Sequence, residues 1–286
     1  MEPLEYHIIE KIKEFLDEDI GYGDITSETL IPPEQMAKGR LYFKEPGIVS
    51  GLVEAATVFK ILNCSVEYHK KDSEGTEAGE TLLTVLGPAR ALLRGERLAL
   101  NIIGRMAGIA TKTAYIVKEV NKRNPSTRIA ATRKTVPGFR EFDKRAVIHG
   151  GGDPHRFRLD DCVLIKDNHL ELVPSVVDAV NLARMGVSFT KMVEIEVRSL
   201  EDAVEAAEAG ADIIMFDNMT PDEIRENLSK LDELGLGEGV IFEASGGINA
   251  DNAGDYAEAG ADIISLGALT HSIRSLDVKF EIEMIK

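Results

Sequence analysis

Six stretches of this chain that read as buried strands do not end as buried strands ordinarily do. They finish in "TRKT", "KDNH", "EIEV", "FDNM", "EASGG" and "SLGALTHS", and these ends carry Arg133, Lys134, Lys166, Asp167, His169, Glu194, Glu196, Asp217 and His271. Neutral turn residues are the usual close of an apolar strand. A ring of charges at strand ends points to a site, because α/β barrels place their chemistry there. The plainer reading is a set of salt bridges round a barrel mouth.

Each subset of these residues suits a different chemical group. Arg133 and Lys134 end one strand, Lys166 ends the next, and His155 and Arg156 lie in the glycine-rich loop between. Arginine meets a carboxylate through a planar fork and lysine supplies a point charge. Converged, they suit a ligand with more than one carboxylate. Glu196 and Asp217 end neighbouring strands and face this basic set. Two such carboxylates hold Mg²⁺ or accept hydrogen bonds from ribose hydroxyls; the alternative is that they only balance the lysines.

"EASGGINADN" closes a strand on Ser245, Gly246 and Gly247 and opens a helix near Asn249. Bare backbone beside a helix N-terminus forms a phosphate cradle. Gly267 and His271, one unit later, are placed to close it. The competing reading is a tight turn needing positive φ. Gly150–Gly152 open no helix, since Pro154 follows, and read as a loop. Lys144, Arg145 and Arg158 are expected as solvated charges.

The elements that position these tips alternate from Arg128 onward. "RIAAT", "CVLIK", "MVEIE", "DIIMFD", "VIFEAS" and "DIISLG" read as strands. "GFREFDKRAVIHG", "PSVVDAVNLARMG", "SLEDAVEAAEAG", "PDEIRENLSKLDELG" and "ADNAGDYAEAG" read as the helices between them. Eight units do not fit, so an incomplete or seven-stranded (β/α) barrel is expected. One phrase, "AEAGADII", occurs at Ala207–Ile214 and again at Ala257–Ile264. Each copy reads as a helix end, a glycine cap and a buried strand, a shared frame whose tip then differs.

The first hundred or so residues are mixed in pattern. Leu4, Ile8, Ile9, Ile12, Phe15 and Leu16 form a helical stripe, and "GYGDITSETLIPP" reads as a turn-rich connection. Short strands are expected within "GRLYFKEPGIVSG", "SVEYHKKDSEG" and "ETLLTVLG", with a helix over "LVEAATVFKIL". After Pro88 a long helical stretch is expected to hinge near Gly104–Gly108. The closing "LDVKFEIEM" reads as a strand returning to this N-terminal part.

Composition excludes several classes. With 286 residues, 44% hydrophobic, the chain can bury a large core. No apolar run approaches the roughly 20 residues of a membrane span, and the acidic, amphipathic start is no signal peptide. A formal net charge of −16 argues against a nucleic-acid surface. Between Arg123 and Arg158, however, nine Lys/Arg stand against three Asp/Glu, leaving 24 against 46, or −22, elsewhere. Such a basic island suits a small anion. Cys64 and Cys162 sit among apolar residues without metal spacing, as buried thiols in a reducing cytoplasm.

The run "TRKTxPGxR…KxAVxxGGGxxHRxxLxDxxLIKDNH", then "EIEV", "DNM", "EASGGI" and "GALTHS…LD", resembles the quinolinate phosphoribosyltransferase family; "EDIGYGDITS" and "GERLALNIIGRMAGIAT" extend the resemblance over nearly the whole chain. It implies an N-terminal α/β sandwich domain over 1–108, rejoined by 275–286, and an incomplete α/β barrel over 109–274 that carries the active site. It implies that quinolinate and phosphoribosyl pyrophosphate give nicotinate mononucleotide, pyrophosphate and CO₂, with Mg²⁺, in a homodimer or a hexamer of three dimers. By the same resemblance Arg133, His155, Arg156 and Lys166 hold the quinolinate carboxylates, and Arg97, beside the apolar "LALNII", reaches a neighbouring subunit's site. Lys134, Glu196 and Asp217 serve phosphoribosyl pyrophosphate and its metal, directly or through water, and are the catalytic set. Ser245, Gly246, Gly247, Gly267 and His271 hold the 5′-phosphate.

Two small departures stand out: "AATRKT" where "RTTRKT" is commoner, and Phe157 after the His-Arg pair. Neither removes a named group. A related branch found with molybdate-transport systems shares "RKTxPG" and "HR" but departs at "IKDNH", which this chain keeps. A phosphate-binding barrel isomerase or lyase would not need the basic carboxylate set. A non-catalytic ligand-binding barrel would not need Glu196 and Asp217 beside lysines.

Overall fold

Ile8, Ile12 and Leu16 recur at helical spacing and bury one face of α1 (Tyr6–Ile20). Leu4, the first member of that stripe, lies outside the described residues, which are 6–285 of a computed structural model. The supposed connection after α1 contains a helix, α2 (Ile25–Leu30), because Asp24 caps it by accepting the Ser27 N–H at 3.0 Å. There follow β1 (Met36–Phe43), β2 (Gly47–Ile48), α3 (Leu52–Ile61), β3 (Ser65–Tyr68), β4 (Gly75–Thr76) and β5 (Thr81–Pro88).

Next comes α4 (Ala89–Asn121), one unbroken helix of 33 residues rather than two hinged ones. Its glycines mark close approach, not a hinge. A Cβ at Gly104 would lie 3.1 Å from the Leu276 carbonyl oxygen, and one at Gly108 would overlap the Arg274 carbonyl. The Leu276 N–H donates to the Gly104 carbonyl at 3.0 Å, so two backbones meet where no side chain fits. Leu98, Ala99, Ile102 and Ile103 are buried within the chain, so the "LALNII" face is not left exposed.

The alternating region begins with β6 (Arg128–Ala130), α5 (Arg140–His149), β7 (Val163–Ile165), α6 (Asp167–Leu170) and α7 (Val176–Gly186). It continues with β8 (Val193–Val197), α8 (Leu200–Glu208), β9 (Ile213–Asp217), α9 (Pro221–Glu233), β10 (Ile241–Ser245), α10 (Ala253–Ala259) and β11 (Ile263–Ser265). Side-chain caps start the helices: Ser175 and Ser199 each accept an N–H three residues on, and Thr220 and Glu223 form a reciprocal capping box before Pro221. All six expected strands form and pair in parallel, in the order β6-β11-β10-β9-β8-β7. Among the described residues six strands pair in this sheet, not seven. The chain neighbours β6 and β7 end up as the two edges, so the barrel is incomplete.

Finally β12 (Val278–Met284) lies antiparallel to β1, giving a four-stranded sheet in the order β12-β1-β5-β3. Phe280 of β12 stacks on Phe59 of α3, with ring centroids 5.1 Å apart. The chain divides into two compact units. One runs to Ala114 and adds Arg145–Gly151 and the segment from Ile273; the other is Tyr115–Lys144 with Gly152–Ser272. Among the described residues no helix is long and apolar enough to cross a membrane.

Candidate active site

Strand residues two apart face the same way. In the six-stranded sheet that rule stacks Leu164 under Lys166, Met215 under Asp217, and Glu243 under Ser245, and all six line one cavity of about 510 Å³. Outward-facing Phe216 and Phe242 instead stack on each other at 5.9 Å, packing the strands' other face. Arg133, Lys134, His155, Arg156, Glu196, Gly246 and Gly247 complete the cavity wall. Residues expected from three different ligand groups therefore meet in one place, within the second unit. Arg97 is an exposed residue of α4 in the first unit.

Several charges at the mouth are already partnered. Lys166 Nζ donates to Glu196 Oε1. Arg198, just past β8, spans Asp217 at 3.2 Å and Asp167 at 3.0 Å. Arg198 lines the cavity and was not singled out from the sequence, although it directly follows "EIEV". His169 points away from ligand duty: its Nδ1 accepts the Lys166 N–H at 2.9 Å and so closes the first turn of α6.

The residues expected to form the cradle lie in two tight turns. Gly246 and Gly247 adopt φ of +93° and +65°. A Cβ on Gly246 would overlap the Asn218 side chain, while one on Gly247 would meet nothing within 4 Å. α10 starts at Ala253, later than the Asn249 expected, because Asn249 and Asn252 hold the intervening turn through side-chain bonds to backbone N–H groups. At the neighbouring strand end, a Cβ on Gly267 would come 2.9 Å from Lys134 Cδ and 3.0 Å from the His271 ring. Thr270 Oγ1 donates to the Lys134 carbonyl at 2.8 Å, tying the two loops together.

Beneath the mouth lies a polar floor that the sequence did not reveal as one. Glu194 and Glu243 are fully buried, and His155 places Nε2 at 3.2 Å from Glu243 and 3.6 Å from Glu194. Burial opposes positive charge on the His155 ring, whereas the bonds to Glu194 and Glu243 and their charge favour it. Burial raises the Glu194 carboxyl above its ordinary value. Among the described residues these three are the one group with metal-ligand chemistry in close array.

Two charges expected in solvent are not there. Lys144 is fully buried under the corner at Pro154–Arg156, with Nζ donating to the carbonyls of Pro154 and Arg156. Burial and then the nearby Arg140 charge lower its pKa to about 8. α5 turns it inward, where it supplies these two carbonyls with a donor. Arg145 pairs with the buried Glu54 at 2.9 Å. Arg158 is exposed as expected. Cys64 is buried and its thiol is pushed up to about 11 by burial, while Cys162 is only half-buried.

The family model for the quinolinate phosphoribosyl transferase C-terminal domain matches residues 109–281, and that for the N-terminal domain matches 24–107. The chain belongs to the quinolinate phosphoribosyltransferase family. It is 46% identical to a probable nicotinate-nucleotide pyrophosphorylase (carboxylating) of Methanothermobacter thermautotrophicus, over 96% of this chain and 99% of that one. It is 38% identical to the human nicotinate-nucleotide pyrophosphorylase (carboxylating), over 87% of this chain and 82% of that one. The structure of NadC from Streptococcus pyogenes superposes with a TM-score of 0.93 at 34% identity, covering all of both chains. The quinolinate phosphoribosyltransferase fold, an N-terminal sheet domain with an incomplete parallel barrel, is thus the fold of this chain.

Proposed function

We infer that this chain transfers the phosphoribosyl group of phosphoribosyl pyrophosphate to quinolinate, with loss of one carboxylate, in NAD biosynthesis. The products are nicotinate mononucleotide, pyrophosphate and CO₂. One observation carries the reading: a single cavity brings Arg133, Lys134, Arg156 and Lys166 together with Glu196, Asp217 and the Ser245–Gly247 turn. A dianion, a ribose and a phosphate each find their matching groups.

Arg133, Arg156 and Lys166 hold the two carboxylates and aim the ring nitrogen at the anomeric carbon. As that carbon loses pyrophosphate it gains positive charge, which Glu196 and Asp217 stabilise, while Lys134 takes the anionic side. Ser245–Gly247, Gly267 and His271 anchor the 5′-phosphate, so the reacting atoms are aligned; alignment alone supplies roughly 7–11 kcal/mol. Glu196 and Asp217 offer hard oxygens on adjacent strands, a set that suits Mg²⁺, which keeps several waters and substrate oxygens. When bound there, Mg²⁺ supplies positive charge to the departing pyrophosphate. Lys166 and Arg198 already occupy these carboxylates, so binding exchanges ionic partners instead of meeting bare charges. Once the ring nitrogen is quaternary it withdraws electrons from the adjacent carbon. That carbon releases CO₂ and takes a proton, and no strong base is required of the protein.

Turnover measured with quinolinate and with nicotinate, each with phosphoribosyl pyrophosphate, tests this reading. Quinolinate is expected to give CO₂ and nicotinate mononucleotide in equal amounts, and nicotinate none. Comparable turnover of nicotinate would overturn it. Arg97 is the proposed contribution from a neighbouring subunit in a homodimer or larger assembly. Mixed Arg97→Ala and Lys166→Ala subunits then recover part of the activity that each lacks alone; no recovery after confirmed exchange would mean each chain completes its own site. Two unpaired thiols fit a reducing cytoplasm.

A further inference from the structure

His155 is held in a conformation that a histidine does not choose. Its φ is +52°, in the left-handed region, a state that persists only when its surroundings over-determine it. Three contacts do so. The His155 N–H donates to Asp153 Oδ1 at 2.7 Å. Ring Nδ1 accepts the Arg156 N–H at 2.8 Å, and ring Nε2 lies 3.2 Å from Glu243 Oε2. Both ring nitrogens are engaged inside the chain, so neither is left to meet a substrate carboxylate.

The Arg156 contact decides between three states of this ring. A divalent ion on Nε2 would require the ring proton at Nδ1. An imidazolium would also carry a proton at Nδ1. Either would set that hydrogen against the Arg156 hydrogen at a separation suited to one proton only. The two carboxylates favour positive charge on the ring and the backbone N–H opposes it; at 2.8 Å the N–H contact is the stricter constraint. What remains is the neutral ring with its hydrogen on Nε2, donated to Glu243.

We propose that Glu243 is a positioning residue for the quinolinate half of the site: by accepting the Nε2–H of His155 it leaves Nδ1 bare, and Nδ1 then fixes the backbone of Arg156. Arg156 in turn lines the cavity. Lys144 holds the same corner from the other side through the carbonyls of Pro154 and Arg156. Glu194 supports the arrangement as a second buried acceptor, 3.6 Å from Nε2. Glu243 touches no reacting atom and acts through His155.

The proposal rests on the assignment of Arg156 to a quinolinate carboxylate, and the test separates the two. Ring ¹⁵N resonances of the histidine-labelled, full-length protein, with His155 identified by its loss in His155→Asn, are expected to show a protonated Nε2 and a bare Nδ1 at neutral pH. Glu243→Leu is expected to raise KM for quinolinate about ten-fold while leaving KM for phosphoribosyl pyrophosphate within about two-fold, because only one charged contact is displaced. Glu243→Gln still offers an acceptor oxygen and restores both the tautomer and the KM. A proton on Nδ1 in the wild-type protein overturns the proposal even if Glu243→Leu does not fold. So does an unchanged quinolinate KM in a folded Glu243→Leu protein. If Arg156→Ala leaves the quinolinate KM unaltered, the substrate assignment has failed instead, whatever tautomer is seen.

Discussion

Gly210 and Gly260 leave their helices with φ of +84° and +106°, and the residues that follow repeat each other bond for bond. The N–H of Ala211 reaches back to Ala206, and that of Ala261 to Tyr256, the helix-closing pattern that a left-handed glycine permits. Asp212 accepts the Val193 N–H at 2.7 Å and Asp262 accepts the Phe242 N–H at 2.9 Å. Each aspartate's own N–H returns a bond of 2.9 Å to the same residue's carbonyl. β9 thus docks onto β8, and β11 onto β10, by one device. Beyond that they part. β9 runs to Asp217 and delivers a carboxylate, whereas β11 stops at Ser265 and turns through a short 3-10 segment over Gly267–Leu269. Identical frames therefore end in different tips: a carboxylate at one, a glycine turn beside His271 at the other.

The largest effect is expected at the first tip. Asp217→Asn keeps the shape and removes the charge, and is expected to lower kcat/KM for phosphoribosyl pyrophosphate by about 100-fold or more and to flatten its Mg²⁺ dependence. Steady-state rates against both concentrations measure this; a wild-type Mg²⁺ response would mean that Asp217 only balances Arg198. Next in size is the second tip. Gly267→Val would push into Lys134 and His271, and affinity for nicotinate mononucleotide is expected to fall about ten-fold or somewhat more, the equivalent of one lost charged hydrogen bond. Smallest is the frame. Gly210→Ala and Gly260→Ala each force a Cβ into left-handed backbone and should cost about 1 kcal/mol of stability, slightly more at Gly260, whose Cβ would stand 3.1 Å from Leu228. Denaturant melts should show the loss while turnover stays level. A loss of activity without loss of stability would place the glycines in the site.

Much of this was legible in the sequence because parallel strands buried on both faces are written as short apolar runs, and their ends then stand out. "DIIMFD" and "DIISLG" became β9 and β11, and the tips of all six runs fall in the barrel unit. What the sequence hid were effects of tertiary contact. Gly104 and Gly108 read as a hinge because a helix dislikes glycine, yet they are where the chain's return segment presses on α4. Lys144 read as solvated because lysine usually is, yet α5 aims it at a loop whose carbonyls require a donor. Glu243 sits inside "VIFEAS", a charge within an apolar run, and that anomaly was the available signal of a polar floor. α2 is too short for its periodicity to show, and only its Asp24 cap betrays it.

Calorimetric titration of inorganic phosphate into Asp217→Asn, Gly267→Val and the wild-type protein separates the two tips that the equal frames carry. The expected result is crossed: Asp217→Asn binds phosphate as the wild type does, though it barely turns over, and Gly267→Val binds it about ten-fold more weakly while still folded. Equal phosphate affinity in Gly267→Val and wild type, or a loss confined to Asp217→Asn, would contradict it and leave Gly267 as no more than a turn.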